Sequence, residues 1–143
     1  MTTGEGEQAA RVWEAMRTLV LDRHDRRDEV CAAMGMSFFR VKVLRRVAAE
    51  PVTMGLLAER LGSDPPYVTI VVDDLERRGL VLRSPDPDDR RRKIVSVTEA
   101  GVRAAAEAGA LLAAPPPVLL ALPADRLAML SEILADLLEP SVL

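Results

Sequence analysis

The sequence is poor in the residue types that build catalytic and metal sites. It has one cysteine, Cys31, and one histidine, His24. A single cysteine excludes an intrachain disulfide framework and fits a reducing cytoplasm. His24 has no cluster of Cys, Asp and Glu at metal-ligand spacing, and the chain has no phosphate-binding glycine loop, so we expect neither a metal nor a cofactor. Nothing pairs a nucleophile with His24, so we do not expect an enzyme.

Long apolar runs and aromatic side chains are also scarce. No stretch is apolar and long enough to span a bilayer, and the first residues, MTTGEGEQAA, are polar and acidic rather than signal-like. We therefore expect a cytoplasmic protein without a membrane segment. The 143 residues are 49% hydrophobic but only 3% aromatic, which predicts a single domain, 1–143, with an aliphatic and mainly helical core.

The formal net charge of −3 argues weakly against a nucleic-acid partner. Local charge decides this question, because a phosphate backbone meets only one face of a protein.

The most informative stretch runs from Asp64 to Thr98. Asp64 is a suitable helix N-cap, and Pro65 suits the first helical position, where its missing N–H costs nothing. Gly79 follows two arginines and predicts the end of this helix. Between these signals, apolar side chains recur at helical spacing and predict one buried stripe: Val68, Val71, Val72 and Leu75.

A charged β-hairpin is predicted directly after this helix. The aliphatic runs 80–82 and 94–97 flank a loop of Pro, Asp and Arg residues. Thr98 can then cap a further helix. A helix followed at once by a charged hairpin is the order of a winged helix-turn-helix.

Two motifs in this stretch carry a family resemblance. The segments VDDLERRGLV and DPDDRRRKIVSVTEAG, with Asp89-x-Arg91 and Thr98-x-x-Gly101, resemble the MarR family of bacterial transcription regulators. Weaker similarity extends from about Arg11 to Leu138. One position departs from the family, since many members carry a basic residue where this chain has Ile70.

Helical patterns account for most of the remaining chain. Residues 1–7 are expected to form a short disordered tail, and a single long helix is predicted from Gln8 to about Val30. Ser37 and Thr53 each precede a predicted helix, with Val52 as a minimal strand between them. The helix that starts at Thr98 must break at Pro115–Pro117, and a last helix follows Pro123 and ends near Leu138.

The predicted fold is therefore mainly α. It is a winged helix-turn-helix with a small β-hairpin wing and with dimerisation helices at both ends of the chain. Residues 37–98 are the expected DNA-binding lobe, and residues 8–31 and 99–143 are the expected dimerisation segments.

The helix after Asp64 is expected to enter the major groove of DNA, where its first residues reach base edges. Alone it is a weak signal, because 64–76 hold four acidic and no basic residues, and an ordinary amphipathic core helix has the same pattern. The expected contacts are Ser63, Pro65, Pro66, Tyr67, Thr69 and Ile70.

The predicted hairpin tip supplies positive charge. Residues 83–93 contain five basic and three acidic residues, with three consecutive arginines. Such a tip suits insertion in or beside a minor groove, although charge runs are also common in solvated loops. Asp89 is expected to hold the Arg91 guanidinium through a bidentate pair. The wing residues expected at DNA are Asp89, Arg90, Arg91 and Arg92.

The resemblance also implies a small effector. Members of this family bind ligands, often aromatic acids or phenols, between the dimerisation helices and the winged module. Arg17, Arg23 and His24 are the candidates for such a site, with exposed helix charges as the alternative.

The sequence thus predicts a homodimeric repressor of a pseudo-palindromic double-stranded DNA operator, released by a small molecule. Two alternatives remain open. One is a thiol redox switch through Cys31, which is otherwise a small core residue. The other is a winged helix that binds proteins and not DNA.

Overall fold

The computed structural model describes residues 2–139. Met1 and residues 140–143, which belong to the predicted domain 1–143 and its C-terminal dimerisation segment, lie outside the described residues. The helices are α1 (Thr3–Arg17), α2 (Arg27–Met34), α3 (Phe38–Ala49), α4 (Met54–Leu61), α5 (Pro65–Arg77), α6 (Glu99–Ala113), α7 (Pro117–Leu120) and α8 (Ala124–Leu138). A π-helical turn, Thr18–Arg23, continues α1.

Three short strands form one antiparallel sheet: β1 (Val52–Thr53), β2 (Val81–Pro85) and β3 (Lys93–Val97). Their order is β1-β3-β2, so the predicted minimal strand at Val52 pairs with the hairpin. The mainly helical winged fold predicted from the sequence is confirmed. The chain divides into two compact units, Met1–Ala113 and Ala114–Leu143.

The core of the first unit is aliphatic, as the composition predicts. One face of α3 and one face of α5 pack against the inner side of the sheet, and α4 and α6 also contact this core. The fully buried larger side chains are Val30, Val41, Val43, Leu44, Val47, Leu57, Val68, Val71, Val72, Leu75, Val81 and Val95. Helix α5 buries the four residues of the predicted stripe, so its opposite side remains available for a partner.

The helix-turn-helix has the caps that the sequence indicates. The Thr53 hydroxyl accepts the backbone N–H of Leu56, and the Asp64 carboxylate accepts the backbone N–H of Tyr67 at 2.7 Å. Gly62 ends α4 with a φ of +61°, a left-handed conformation that glycine adopts without strain. These caps place the start of α5 at the surface directly after a tight turn.

Thr98 and Gly101 attach α6 to the base of the hairpin. The Thr98 hydroxyl donates to the carbonyl of Gly79 and accepts the backbone N–H of Gly101 at 3.0 Å. A side chain at Gly101 would overlap the carbonyl oxygen of Leu80. The Thr-x-x-Gly motif is therefore a close contact between a helix and the hairpin.

The N-terminal region differs from the prediction in two respects. Helix α1 begins at Thr3, so residues 2–7 are not a disordered tail, and Thr2 forms a reciprocal capping box with Glu5. The single helix predicted from Gln8 to Val30 is interrupted between Arg23 and Arg27. Asp25 accounts for the new start, because its carboxylate accepts the backbone N–H and the guanidinium of Arg27.

The second unit contains α7 and α8. Helix α6 ends at Ala113, directly before the proline run, and α8 follows Pro123, both as predicted. None of the residues of α8 is buried, although much of its surface is aliphatic. Within residues 2–139, every helix is too short or too polar to cross a membrane.

Candidate nucleic-acid interface

The exposed side of α5 presents the predicted major-groove residues. Pro65, Pro66, Tyr67, Thr69 and Ile70 are all exposed, and Ser63 is half-buried in the turn that precedes them. The Ile70 side chain is 56% exposed and lies opposite the buried stripe, as expected. The structure thus brings these residues together on one surface of the helix.

Two of these side chains have defined partners. The Tyr67 ring packs against Phe39 of α3, with ring centroids 5.1 Å apart, which restricts its orientation. The Thr69 hydroxyl donates to the carbonyl of Pro65 at 3.0 Å. Because its hydrogen is used within the helix, this hydroxyl is free to accept a hydrogen bond from a base amino group. Sequence reasoning missed Phe39, since the pairing depends on how α3 packs against α5.

The acidic residues of α5 are paired with arginines, two of which, Arg83 and Arg40, come from other elements. Arg83 of β2 bonds two of them: its Nε donates to Glu76 at 3.0 Å and its Nη2 to Asp73. Burial alone would lower the pKa of Arg83, but the hydrogen bonds to Glu76 and Asp73 outweigh it, and the pKa is raised. The negative charge of α5, which by itself disfavours contact with a phosphate backbone, is thus partly neutralised.

Asp74 is paired in the same manner on the other side of α5. It accepts hydrogen bonds from Arg40 of α3 at 2.8 Å and from Arg78 at 2.9 Å. These bonds, Arg40 first, hold the pKa of Asp74 below its ordinary value. Arg78 also donates to the carbonyl of Gly35, so one carboxylate connects α5 to the turn between α2 and α3.

Two aspartates shape the tip of the wing. Asp86 is buried, and its carboxylate accepts the backbone N–H of Asp88 at 2.9 Å. Its own N–H donates to the carbonyl of Arg92 at 3.0 Å, which closes the loop. Sequence reasoning did not include Asp86 among the site residues, although Asp in a Pro- and Asp-rich loop is a known turn signal.

Asp89 has a different geometry from the predicted bidentate pair with Arg91. Its carboxylate accepts the backbone N–H of Arg91 at 3.0 Å and lies 3.7 Å from the Nε of that residue and 3.4 Å from the Nε of Arg92. The Arg91 side chain is 96% exposed. The expected bidentate pair is therefore wrong: Asp89 sets the backbone of the tip and lies between two cations.

The wing arginines lie beside the start of α4, which sequence reasoning did not include. A cavity of about 460 Å³ is lined by Thr53, Met54, Gly55, Leu56, Arg91, Arg92 and Lys93. The first backbone N–H groups of a helix and nearby cations both favour negative charge. The wing and α4 can therefore contact one phosphate backbone together.

The predicted effector residues are only partly together. A cavity of about 490 Å³ is lined by residues of α1 and the π-helical turn: Arg11, Glu14, Ala15, Thr18, Leu19 and Arg23. Arg23 lines this cavity, whereas Arg17 and His24 are not among its lining residues. Arg11, one turn before Ala15 on α1, is a second cation that lines this cavity.

The other candidate sites have little support from the structure. Cys31 is half-buried in α2, and its carbonyl accepts the N–H groups of Gly35 and Met36. It therefore lies near the C-terminal end of a helix and not at a helix N-terminus, where reactive cysteines are often found. Across residues 2–139, His, Cys, Asp and Glu side chains form no group of three that could hold a metal.

The central part of the chain matches a known protein family. The model of the MarR family matches residues 41–93, which extend from α3 to the start of β3. The chain is also similar to the uncharacterized HTH-type transcriptional regulator YcgE of Bacillus subtilis, strain 168, with 45% identity over 47 residues. That match covers 33% of this chain and spans 30% of the length of the curated relative.

Solved structures resemble nearly the whole chain. The transcriptional regulator BldR from Sulfolobus solfataricus has a TM-score of 0.63 at 26% identity, covering 95% of this chain and 99% of its own. A mutant of MarR from E. coli, crystallised with operator DNA, has a TM-score of 0.60 at 23% identity, covering 97% of this chain and 100% of its own. The second likeness shows a shared fold.

Proposed function

We propose that this chain, which matches the model of the MarR family over residues 41–93, is a transcription regulator like the members of that family and not an enzyme, and that it is a homodimeric repressor that binds pseudo-palindromic operator DNA. In this proposal α5 enters the major groove, and the wing tip enters or borders the minor groove. A small phenolic or aromatic-acid-like molecule releases the repressor from its operator. The protein works in the cytoplasm, where its operator is accessible.

The observation that carries the proposal is the arrangement of charge around α5. The acidic residues of the helix are paired by Arg83, Arg40 and Arg78. In contrast, Arg90, Arg91 and Arg92 extend from the hairpin into solvent. A surface with three exposed cations and one carboxylate between them, beside a helix with neutralised acids, fits a polyanion, and the helix fits a DNA groove.

Dimerisation is supported by apolar surface at both ends of the chain. In α1, Trp13 is 62% exposed and Val12 lies beside it. In α8, Leu137 is 64% exposed, and Ile133 lies one turn earlier on the helix. Soluble monomers rarely leave such surfaces in water. Twofold symmetry would then present two α5 helices to successive major grooves, about one helical turn apart.

The effector proposal relies on the cavity along α1 and the π-helical turn. Its volume of about 490 Å³ lies within the usual range for small-molecule sites. Arg11 and Arg23 can bind a carboxylate or phenolate, and Leu19 offers apolar contact. Such a ligand changes DNA binding only if its affinity differs between two states of the dimer in which the DNA-binding lobes are spaced differently.

The proposal is tested by fluorescence anisotropy with labelled DNA fragments from around the gene that encodes this chain. Binding is measured at two salt concentrations against a scrambled duplex of the same length. We expect one fragment to bind far more tightly than the scrambled DNA at both salt concentrations. Equal and weak binding of all fragments would instead favour a winged helix that binds proteins.

A second measurement tests the effector. Phenols and aromatic acids are added to the complex of the wild-type protein and its best DNA fragment, and the thermal melting of the protein is followed in parallel. A ligand of the proposed site raises the melting temperature and lowers the affinity for DNA. Arg23→Gln should abolish both effects, and Cys31→Ser should leave both unchanged. Loss of DNA binding after peroxide, absent in Cys31→Ser, would favour the redox alternative.

A further inference from the structure

The position of Arg83 in the sheet is unusual for a charged residue. Side chains alternate across a strand, so Arg83 points to the same side of β2 as the fully buried Val81. Its partner across the strands is Val95, which is also fully buried. An arginine thus occupies a position on the core side of the wing, at the edge of the aliphatic core.

The guanidinium of Arg83 extends from the edge of the core and contacts α5. Its Nη2 bonds Asp73 and lies 2.8 Å from Glu76, and its Nε donates to Glu76 at 3.0 Å. The two acids are three residues apart, so they lie on the same side of the helix, about one turn from each other. A planar guanidinium held by two carboxylates of one helix allows few orientations of the strand.

Stability alone does not explain this arrangement. All three side chains remain partly exposed, between 27% and 46%. Ion pairs with this degree of exposure contribute little to the free energy of unfolding. These ion pairs do, however, connect α5 to the wing, and both must contact the same DNA.

We propose that Arg83, with Asp73 and Glu76, is a positioning group that sets the orientation of the wing on α5, so that the wing arginines reach DNA while α5 lies in the groove. The inference rests on the proposed function. It assigns to two acidic residues at a DNA-binding surface a role that favours binding, although their charge alone would repel phosphate.

The sign of the effect of Glu76→Gln provides the test. This change removes a negative charge near DNA, so simple electrostatics predicts tighter binding. If Glu76 positions the wing through Arg83, operator affinity falls by about tenfold instead, while affinity for scrambled DNA is unchanged or higher. Asp88→Asn is the matched control, because it removes one charge from an exposed wing residue, and it should bind the operator at least as tightly as wild type.

A double-mutant cycle separates positioning from a general loss of structure. Arg91→Ala is measured in the wild-type and in the Arg83→Gln backgrounds by anisotropy across a salt series, with thermal melts of each protein. If Arg83 positions the wing, Arg91→Ala has a smaller effect on affinity and on the salt slope in the Arg83→Gln background. If Arg83→Gln does not fold, Glu76→Gln replaces it as the background.

Two results would overturn the inference. One is tighter operator binding by Glu76→Gln, equal to that of Asp88→Asn. The other is an equal loss on Arg91→Ala in both backgrounds. A wild-type protein that binds no DNA fragment specifically would refute the proposed function itself, which distinguishes the two failures.

Discussion

Arg40 and Asp74 lie 34 residues apart in the chain and are joined by a 2.8 Å hydrogen bond from Nε to Oδ2. The bond connects α3 to α5, and Arg78 extends it to the carbonyl of Gly35. The helix proposed to read DNA is therefore anchored at its C-terminal half to the turn that follows α2. Its N-terminal half, where the base contacts are expected, is held by the buried Val68 and Val71 and by the packing of Tyr67 on Phe39, without an ion pair to α3.

Asp74→Asn should lower the stability of the folded chain in a pH-dependent way. The pKa of Asp74 is lowered from 3.8 by its bonds to Arg40 and Arg78, so the charged form stabilises the native state. That contribution is complete above the unfolded pKa and is lost as the pH falls through the lower folded pKa. Urea denaturation at pH 7 should show wild type more stable than Asp74→Asn, with the difference disappearing well below pH 3.8. Asp88→Asn should show no comparable difference, and a pH-independent difference for Asp74→Asn would contradict the assignment.

Arg91→Ala should weaken specific DNA binding by about 1–3 kcal/mol if the side chain reads the minor groove. The side chain is almost fully exposed, so the change should leave the melting temperature unaltered. Arg103→Ala removes the same charge from an exposed position of α6 and serves as the control in the same anisotropy titration. Equal effects of the two changes would mean that only net charge matters.

Asp89→Ala should also weaken operator binding, although it removes a negative charge. The Asp89 carboxylate accepts the backbone N–H of Arg91 and lies close to the side chain of Arg92. Without this carboxylate the backbone of the wing tip is no longer held in one conformation, and ordering the tip on DNA then costs conformational entropy. The measurement is operator affinity at two salt concentrations. Tighter binding would show that Asp89 is merely a repulsive surface charge.

Ile70→Arg should raise affinity for scrambled DNA and steepen its salt dependence by about one unit per monomer, if the new cation neutralises a phosphate. Discrimination between operator and scrambled DNA should fall, or shift towards guanine, because isoleucine packs against a thymine methyl whereas arginine reads guanine. Since Ile70 is exposed, thermal stability should barely change. A large loss of stability would contradict the assigned helix face.

Sedimentation at micromolar concentration should show a dimer. The exposed apolar residues of α1 and of α8 predict it, and Leu134→Asp or Leu137→Asp should give misfolded or aggregated protein, because each places a charge on the expected apolar interface. Asp136→Asn, at an exposed position of the same helix, is the control and should remain dimeric. A stable wild-type monomer would refute dimerisation.

Several features of the fold could be predicted from local sequence signals, because local chemistry determines them. Asp64 and Pro65 define the start of α5, Gly79 its end, and the proline run the end of α6. The buried stripe of α5 follows from spacing alone, since a helix places residues three and four apart on one side. The same periodicity placed Ile70 on the exposed side.

Contacts between distant residues could be seen only in the tertiary structure. The pairing of Arg83 with Asp73 and Glu76 depends on the angle between the hairpin and α5. The spacing of residues in the sequence does not predict that angle. The same holds for Arg40 with Asp74 and for Tyr67 with Phe39. The sequence by itself therefore determined which elements form and which of their sides are apolar, because helix caps, turns and periodicity act within a few residues. Only the packing of those elements decided which charges are paired across elements and which remain exposed for DNA, because an ion pair between elements depends on distances that are set by the shape of the core.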